Sequence, residues 1–244
     1  MATIAQRISL TPTKAANAPA RNSMNSQFSK QTQNPHIREL TTTYENIASF
    51  LVNKIKKSNI KVLDVGGSLK TSIFESLKVD LSITDLQARE SSSVIVGDIC
   101  KGLNIPSGSF DIVYSKDTFE HVMEPWKASK EILRLCKEGG YIFIIAPFSW
   151  RYHAVPIDTF RYSHTGLRIL FERNGGVTPL LACYKHCGLV NGYWENKCDL
   201  YPWNKNQFSS AVITVYVAQK TKGAAIFNPA TLDVTNDHSA KGRE

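Results

Sequence analysis

An apolar run rich in β-branched residues, Ile60 to Val65, stops at Gly66-Gly67, and the next such run, Leu81 to Thr84, closes on Asp85. A run this short is read as a buried parallel strand rather than a helix. Gly66 and Gly67 then allow the tight turn and close backbone approach that a Cβ would block. Ile73, Phe74 and Leu77 fall on one helical face of Leu69 to Lys78, which predicts a helix whose N-terminus faces a ligand. Strand, glycine turn, helix and a carboxylate ending the next strand make the arrangement that a nucleoside-containing cofactor needs.

The alternation continues along the chain. A helix is predicted over Thr43 to Lys57, with Ile47, Phe50, Leu51 and Ile55 on one face. Further strands are predicted at Ser93 to Val96, Asp111 to Tyr114 and Tyr141 to Ala146. Between the last two, a helix starting near Pro125 should turn Trp126, Ile132, Leu133 and Cys136 inward and end in a left-handed cap at Gly139-Gly140. Thr165 to Arg173 predicts another helix, Val177 to Lys185 a sixth strand and Ala211 to Gln219 a seventh. Such alternation implies a parallel sheet covered on both faces. With 244 residues, 42% of them apolar, the chain can bury the core of one such α/β domain and is too short for two.

Neither familiar phosphate-binding pattern, Gly-x-x-x-x-Gly-Lys-Ser/Thr or Gly-x-Gly-x-x-Gly, fits Gly66-Gly67-Ser68-Leu69-Lys70-Thr71. The Asp64 carboxylate would repel a pyrophosphate and suit an ammonium or sulfonium charge. Asp64-Val65-Gly66-Gly67-Ser68 resembles the first motif of the class I S-adenosylmethionine-dependent methyltransferases, with Ser68 standing where the motif has its second glycine. Leu81-Ser82-Ile83-Thr84-Asp85 is similar to that family's second strand, Val96-Gly97-Asp98-Ile99 to its adenine-holding segment. Ser109-Phe110-Asp111-Ile112-Val113-Tyr114 followed by Phe119-Glu120-His121-Val122 resembles its fourth strand and the helix start after it.

The resemblance spans about residues 40 to 220 and implies a Rossmann-like, mostly parallel seven-stranded sheet of order 3-2-1-4-5-7-6, helices on both faces, its last strand antiparallel. It implies S-adenosyl-L-methionine as cofactor, held by Asp64, Gly66, Gly67, Asp85 on the ribose hydroxyls, Asp98 and Ile99 on adenine, and Ser115.

In an open parallel sheet the ligand sits beyond the carboxyl ends of the strands. The connection after the fifth strand, Pro147 to Tyr162, is long and crowded with aromatic rings, arginines, a histidine and a carboxylate. Loops of that length are functional or disordered, and this one is too aromatic for disorder. It resembles the His, Asp and Arg segment of methyltransferases that modify sugars and polysaccharides. A hydroxyl acceptor needs its proton removed. His153 is the expected base, with Asp158 orienting it or binding acceptor hydroxyls and His121 the second candidate, although Glu120-His121 also reads as a helix cap. Trp150, Arg151, Tyr152 and Arg161 are the expected acceptor contacts, and Arg161 reads equally as an ion-pair partner of Asp158. Trp194 and Trp203 join Trp150 as aromatic pocket or core candidates.

No metal site is expected. Cys183, His186, Cys187 and Cys198 have no common zinc spacing, and neighbours on a strand point to opposite faces. Five cysteines, an odd number, argue against a disulfide framework and for a reducing compartment, the cytoplasm. No run is apolar and long enough for a membrane span, and no secretory signal opens the chain.

The net charge of +8 is half carried by residues 1 to 40, where five basic residues oppose Glu39 alone. That polar segment reads as a disordered arm, with an organellar transit peptide as the alternative; residues 41–220 form the domain and 221–244 a disordered tail. The basic residues are spaced singly with almost no aromatic partners, which disfavours nucleic acid. The expected function is O-methylation of a small polyhydroxylated acceptor such as a sugar or glycan intermediate. N-methylation of a small amine or protein side chain is the alternative within enzymes. A non-catalytic or nucleic-acid-directed protein on the same fold is the alternative outside them.

Overall fold

Side chains alternate across the central strands and divide the apolar core into two layers. The strands are β1 (Lys61–Val65), β2 (Asp80–Asp85), β3 (Val94–Val96), β4 (Phe110–Lys116), β5 (Cys136–Ser149), β6 (Val177–Val190) and β7 (Ser209–Lys220), and the helices are α1 (Tyr44–Lys54), α2 (Pro125–Leu135) and α3 (His164–Glu172). The computed structural model describes residues 43–67, 72–88, 94–154, 157–173, 175–190 and 209–222. Its sheet has the order β3-β2-β1-β4-β5-β7-β6. The first five strands pair in parallel, and β7 runs antiparallel to both β5 and β6. This is the order the family resemblance implied.

One layer packs Leu63, Val65, Val113, Ile142 and Ile144 with Ile132 and Leu135 of α2 and Leu167 and Phe171 of α3. The other packs Val62, Ile112, Tyr114, Phe143 and Ile145 with Phe74 and with Ile47, Ala48 and Leu51 of α1. Because β1, β4 and β5 are buried on both faces, they read in sequence as continuous apolar runs. Local chemistry sets the helix starts. Thr43 accepts from the Asn46 amide at 3.2 Å to cap α1, Ser163 accepts from the Gly166 amide at 3.0 Å to cap α3, and Pro125 opens α2.

Two expectations are corrected. The segment predicted as a helix over Leu69 to Lys78 is a series of turns across its described residues, 72–79. There the Ser72 hydroxyl accepts from the Phe74 amide at 3.4 Å, a local bond that competes with helix formation. Phe74 is still fully buried. Secondly, α2 stops at Leu135, before the glycine pair, and Trp126 faces outward at 41% exposure. A Cβ on Gly140 would stand 2.8 Å from the Asp111 carbonyl, so the pair serves an irregular entry into β5 against β4 rather than a helix cap. The arm over residues 1–40, Cys198, Trp194 and Trp203, and the tail beyond 222 lie outside the described residues.

At the end of the sheet where β1 begins, the Asp111 carboxylate accepts from the Lys61 amide at 2.8 Å and pairs with Lys57 at 2.5 Å and Lys137 at 3.1 Å. Burial alone would raise this carboxyl, but Lys57, the Lys61 amide and Lys137 hold it below its ordinary value. A depressed carboxylate stabilises the fold above its unfolded pKa and loses that contribution as pH falls through the folded value. Asp111→Ala should therefore lower stability by about 1–3 kcal/mol near neutral pH. Denaturant unfolding should show the gap to wild type closing as pH drops below about 4.

Candidate functional site

The glycine turn after β1 is held against two neighbouring strands. Gly66 adopts φ +75°, and its amide donates to the Thr84 carbonyl at 2.7 Å. A Cβ on Gly66 would meet Thr118 Oγ1 at 2.4 Å, and one on Gly67 would meet the Asp64 carboxylate at 2.3 Å. Both glycines are thus required by close approach. Asp64 is buried beneath the turn, and its Oδ1 has no hydrogen-bond partner among the described residues. Burial pushes its carboxyl up to about 6, with Ser72 and Lys116 opposing the rise. Tyr114, the register partner of Asp64 on β4, has a hydroxyl in the same unsatisfied state. Two orphaned polar groups on paired residues call for a ligand donor.

Asp85 ends β2, where its Oδ1 accepts from the Gln87 amide at 3.3 Å and its carbonyl from Gly97 at 2.9 Å. Asp98, just past β3, accepts from the Cys100 amide at 2.8 Å and lies 3.5 Å from Lys101. Ile99 beside it is buried. Parallel pairing brings these ends to one edge of the sheet. The fully buried Ser115 hydroxyl donates to the Val65 carbonyl at 3.1 Å and ties β4 to β1 at the same end of the sheet.

After β4, Asp117 takes a left-handed φ of 53°, and a 3₁₀ turn, Phe119–His121, follows. The connection leaving β5 is stapled onto this turn. The Thr159 amide and hydroxyl both donate to the Glu120 carbonyl at 2.7 Å, and the Tyr162 hydroxyl donates to the Phe119 carbonyl at 2.9 Å. His121 Nδ1 lies 2.5 Å from the Ile157 carbonyl, so Nδ1 carries the proton. His153 Nδ1 donates in the same way to the Arg151 carbonyl at 3.0 Å. In the neutral form of each ring Nε2 then bears the lone pair, and the two Nε2 atoms lie 3.9 Å (His121) and 3.8 Å (His153) from Oε1 of Glu120. Glu120 is 1% exposed, and its Oε2 has no hydrogen-bond partner among the described residues. Burial pushes its carboxyl up to about 7.

The structure redistributes the roles expected in this loop. Asp158 was to orient the His153 ring, but its Oδ2 lies 3.5 Å from Nδ1 and instead accepts from the His153 backbone amide at 2.8 Å. Arg161 was to hold the acceptor. It spends its five N–H groups on both Asp158 oxygens, at 2.5 and 2.7 Å, and on the carbonyls of Phe160, Arg151 and Trp150. Although burial alone would raise the Asp158 carboxyl, Arg161 and the His153 amide hold it below its ordinary value. Trp150 packs against the α1 side of the core, whereas Tyr152 is 56% exposed. Arg151 contributes its carbonyl to the His153 ring and to Arg161.

Glu120 was not among the expected catalytic residues. Its signal was its place beside a histidine just past a buried strand, which a capping role explained equally well.

A family model described as a methyltransferase domain matches residues 68–144. The match covers about a third of the chain, and the strand order around it is the one that the resemblance to class I S-adenosylmethionine-dependent methyltransferases implied. Solved structures agree on the fold. A protein from Bacillus halodurans assigned as a methyltransferase superposes with a TM-score of 0.54 at 14% identity, over 72% of this chain and 99% of its own. One from Galdieria sulphuraria, assigned as a sarcosine dimethylglycine methyltransferase, gives 0.52 at 14% identity, over 72% and 83%. The YcgJ protein of Bacillus subtilis gives 0.51 at 15% identity, over 74% and 100%. No curated protein matches the chain in sequence.

S-adenosylmethionine is the cofactor that the matched methyltransferase domain implies, and the orphaned Asp64 carboxylate beneath a Cβ-free turn fits the ammonium of that molecule. Only the ionised carboxylate attracts a cation, and the ligand-free group titrates at about 6. Affinity for the cofactor should thus fall as pH drops through about 6 and level off above about 7. Calorimetric titration of Asp64→Asn should give weaker binding without this pH dependence; an unaltered profile would place the ammonium elsewhere.

Proposed function

We propose that this methyltransferase transfers the methyl group to a hydroxyl of a small polyhydroxylated acceptor, a sugar or glycan intermediate being the class that fits best. The observation that carries the reading is the convergence of two imidazole lone pairs on one buried carboxyl group. An amine that is already neutral needs no base, whereas a hydroxyl must lose its proton as the new bond forms. When bound, S-adenosylmethionine supplies an electrophilic methyl group. Asp64, the Gly66-Gly67 turn, Asp85, Asp98 and Ile99 hold it at the carboxyl edge of the sheet.

His153 Nε2 takes the acceptor proton, and the Arg151 carbonyl on Nδ1 fixes the ring in the tautomer this requires. A Glu120 carboxylate stabilises the imidazolium so formed, and His121 provides a second basic nitrogen whose ring centroid lies 5.0 Å from that of His153. Asp158 and Arg161 act as positioning residues by holding the backbone of 151 and 153. Exposed Tyr152 and Phe160 offer ring faces to the apolar side of a sugar. Placement in the cytoplasm belongs to the same proposal, supported by the free thiols of Cys100, Cys136 and Cys183. Among the described residues no helix is long and apolar enough to cross a membrane.

The test is a screen of labelled S-adenosylmethionine against polyols, sugars and amines, with the methylated atom identified in the product. An oxygen is expected; a nitrogen would overturn the proposal. With that acceptor, His153→Ala should lower turnover by roughly 10²- to 10⁴-fold while leaving cofactor affinity nearly unchanged. Asp85→Ala should do the reverse, weakening cofactor binding by about 1.5–3 kcal/mol if its carboxylate accepts ribose hydroxyls.

A further inference from the structure

The three side chains Glu120, His121 and His153 have the donor set of a metal centre as well as that of a proton acceptor. One ligand atom from each lies within 4.8 Å of the others. Four features separate this cluster from a chance meeting of polar groups. Both imidazoles donate Nδ1–H to backbone carbonyls, Ile157 for His121 and Arg151 for His153, which is the outer bond that orients metal-binding histidines and leaves Nε2 to the ion. Both Nε2 atoms lie at similar distances, 3.9 and 3.8 Å, from the same carboxylate oxygen. The other oxygen of that carboxylate is buried with no partner among the described residues. Finally, the elements carrying the histidines are locked together by the paired bonds of Thr159 to the Glu120 carbonyl.

We propose that Glu120, His121 and His153 bind a divalent first-row transition-metal cation, through Nε2 of each histidine and the carboxylate of Glu120. Ligand atoms at about 2.1 Å in a tetrahedral site are roughly 3.4 Å apart, so small side-chain rotations close the present distances. Two imidazoles and one carboxylate select the zinc, cobalt, iron or manganese class over magnesium or calcium, which prefer all-oxygen sets. Three protein ligands leave coordination positions open to a hydroxyl-rich small molecule. A vicinal diol of the acceptor is the ligand chemistry that would fill them.

The inference competes with the proposed proton acceptor for the lone pair of His153 Nε2, so a bound metal would replace His153 as the base, and the inference does not depend on any acceptor being found. Its test uses the full chain, stripped with a chelator, and Co²⁺ alone. Visible absorption should titrate to one equivalent, with ligand-field bands and no thiolate charge-transfer band in the near ultraviolet. Of the six histidines, two should show strong paramagnetic shifts in their ring resonances. Glu120→Gln and His121→Ala should each weaken cobalt binding at least about 10-fold, while a thermal shift with S-adenosylhomocysteine shows that the variants remain folded. No saturable binding, a thiolate band, or affinity unchanged in His121→Ala would each overturn the site. Should a variant not fold, the wild-type histidine spectrum decides: no paired shift overturns the proposal. A protein that binds no cobalt but O-methylates through His153 would refute the metal site and leave the proton-acceptor reading standing.

Discussion

One ion pair, Arg161 on Asp158, sets the shape of the loop that carries His153. Asp158 is 1% exposed and would be costly there without a partner. The guanidinium meets both carboxylate oxygens and turns its remaining donors onto three main-chain carbonyls, while Asp158 also takes the His153 amide. A run of backbone that would otherwise leave polar groups unpaired is thus folded around one side chain. The Arg151 carbonyl is held between Arg161 and the His153 ring. The pair therefore reaches the imidazole without touching it, through the backbone that presents and orients it.

The sheet supplies the rest of the site. Parallel pairing of β1 through β5 delivers Asp64, Asp85, Asp98 and the turn after β4 to a common edge. The positive φ of Asp117 reverses the chain directly after β4, and Thr118 Oγ1 then donates to the Val65 carbonyl at 3.1 Å, against the glycine turn. A non-glycine residue in that conformation is strained, and such strain collects where the surroundings over-determine the backbone. Here it places Glu120 and His121 next to the glycine turn on one side and the β5 loop on the other.

Much of this was legible before any coordinates. Short β-branched runs ending in glycine or aspartate mark buried strands because a strand covered on both faces must be apolar along its length. Two patterns misled. Ile73, Phe74 and Leu77 have helical spacing, yet only Phe74 needed deep burial, and Ser72 bonds locally within the turns. Trp126 was assigned inward from hydrophobicity, but the inward stripe of α2 runs through Ala128, Ile132 and Leu135, which leaves the ring on the outer face.

The sequence by itself determined the strand succession, the place of the cofactor motifs and the presence of a polar, aromatic loop after β5, because each is written in residues close together along the chain. The tertiary structure alone decided how the polar groups are partnered. Arg161 meets Asp158 and three main-chain carbonyls, and several other partners lie tens of positions away: Thr159 meets Glu120 across 39 residues, and Ser115 meets Val65 across 50. Hydrogen-bonding capacity is finite and is consumed by whichever groups the fold brings near. Which donor or acceptor remains for chemistry is therefore a property of the assembled molecule.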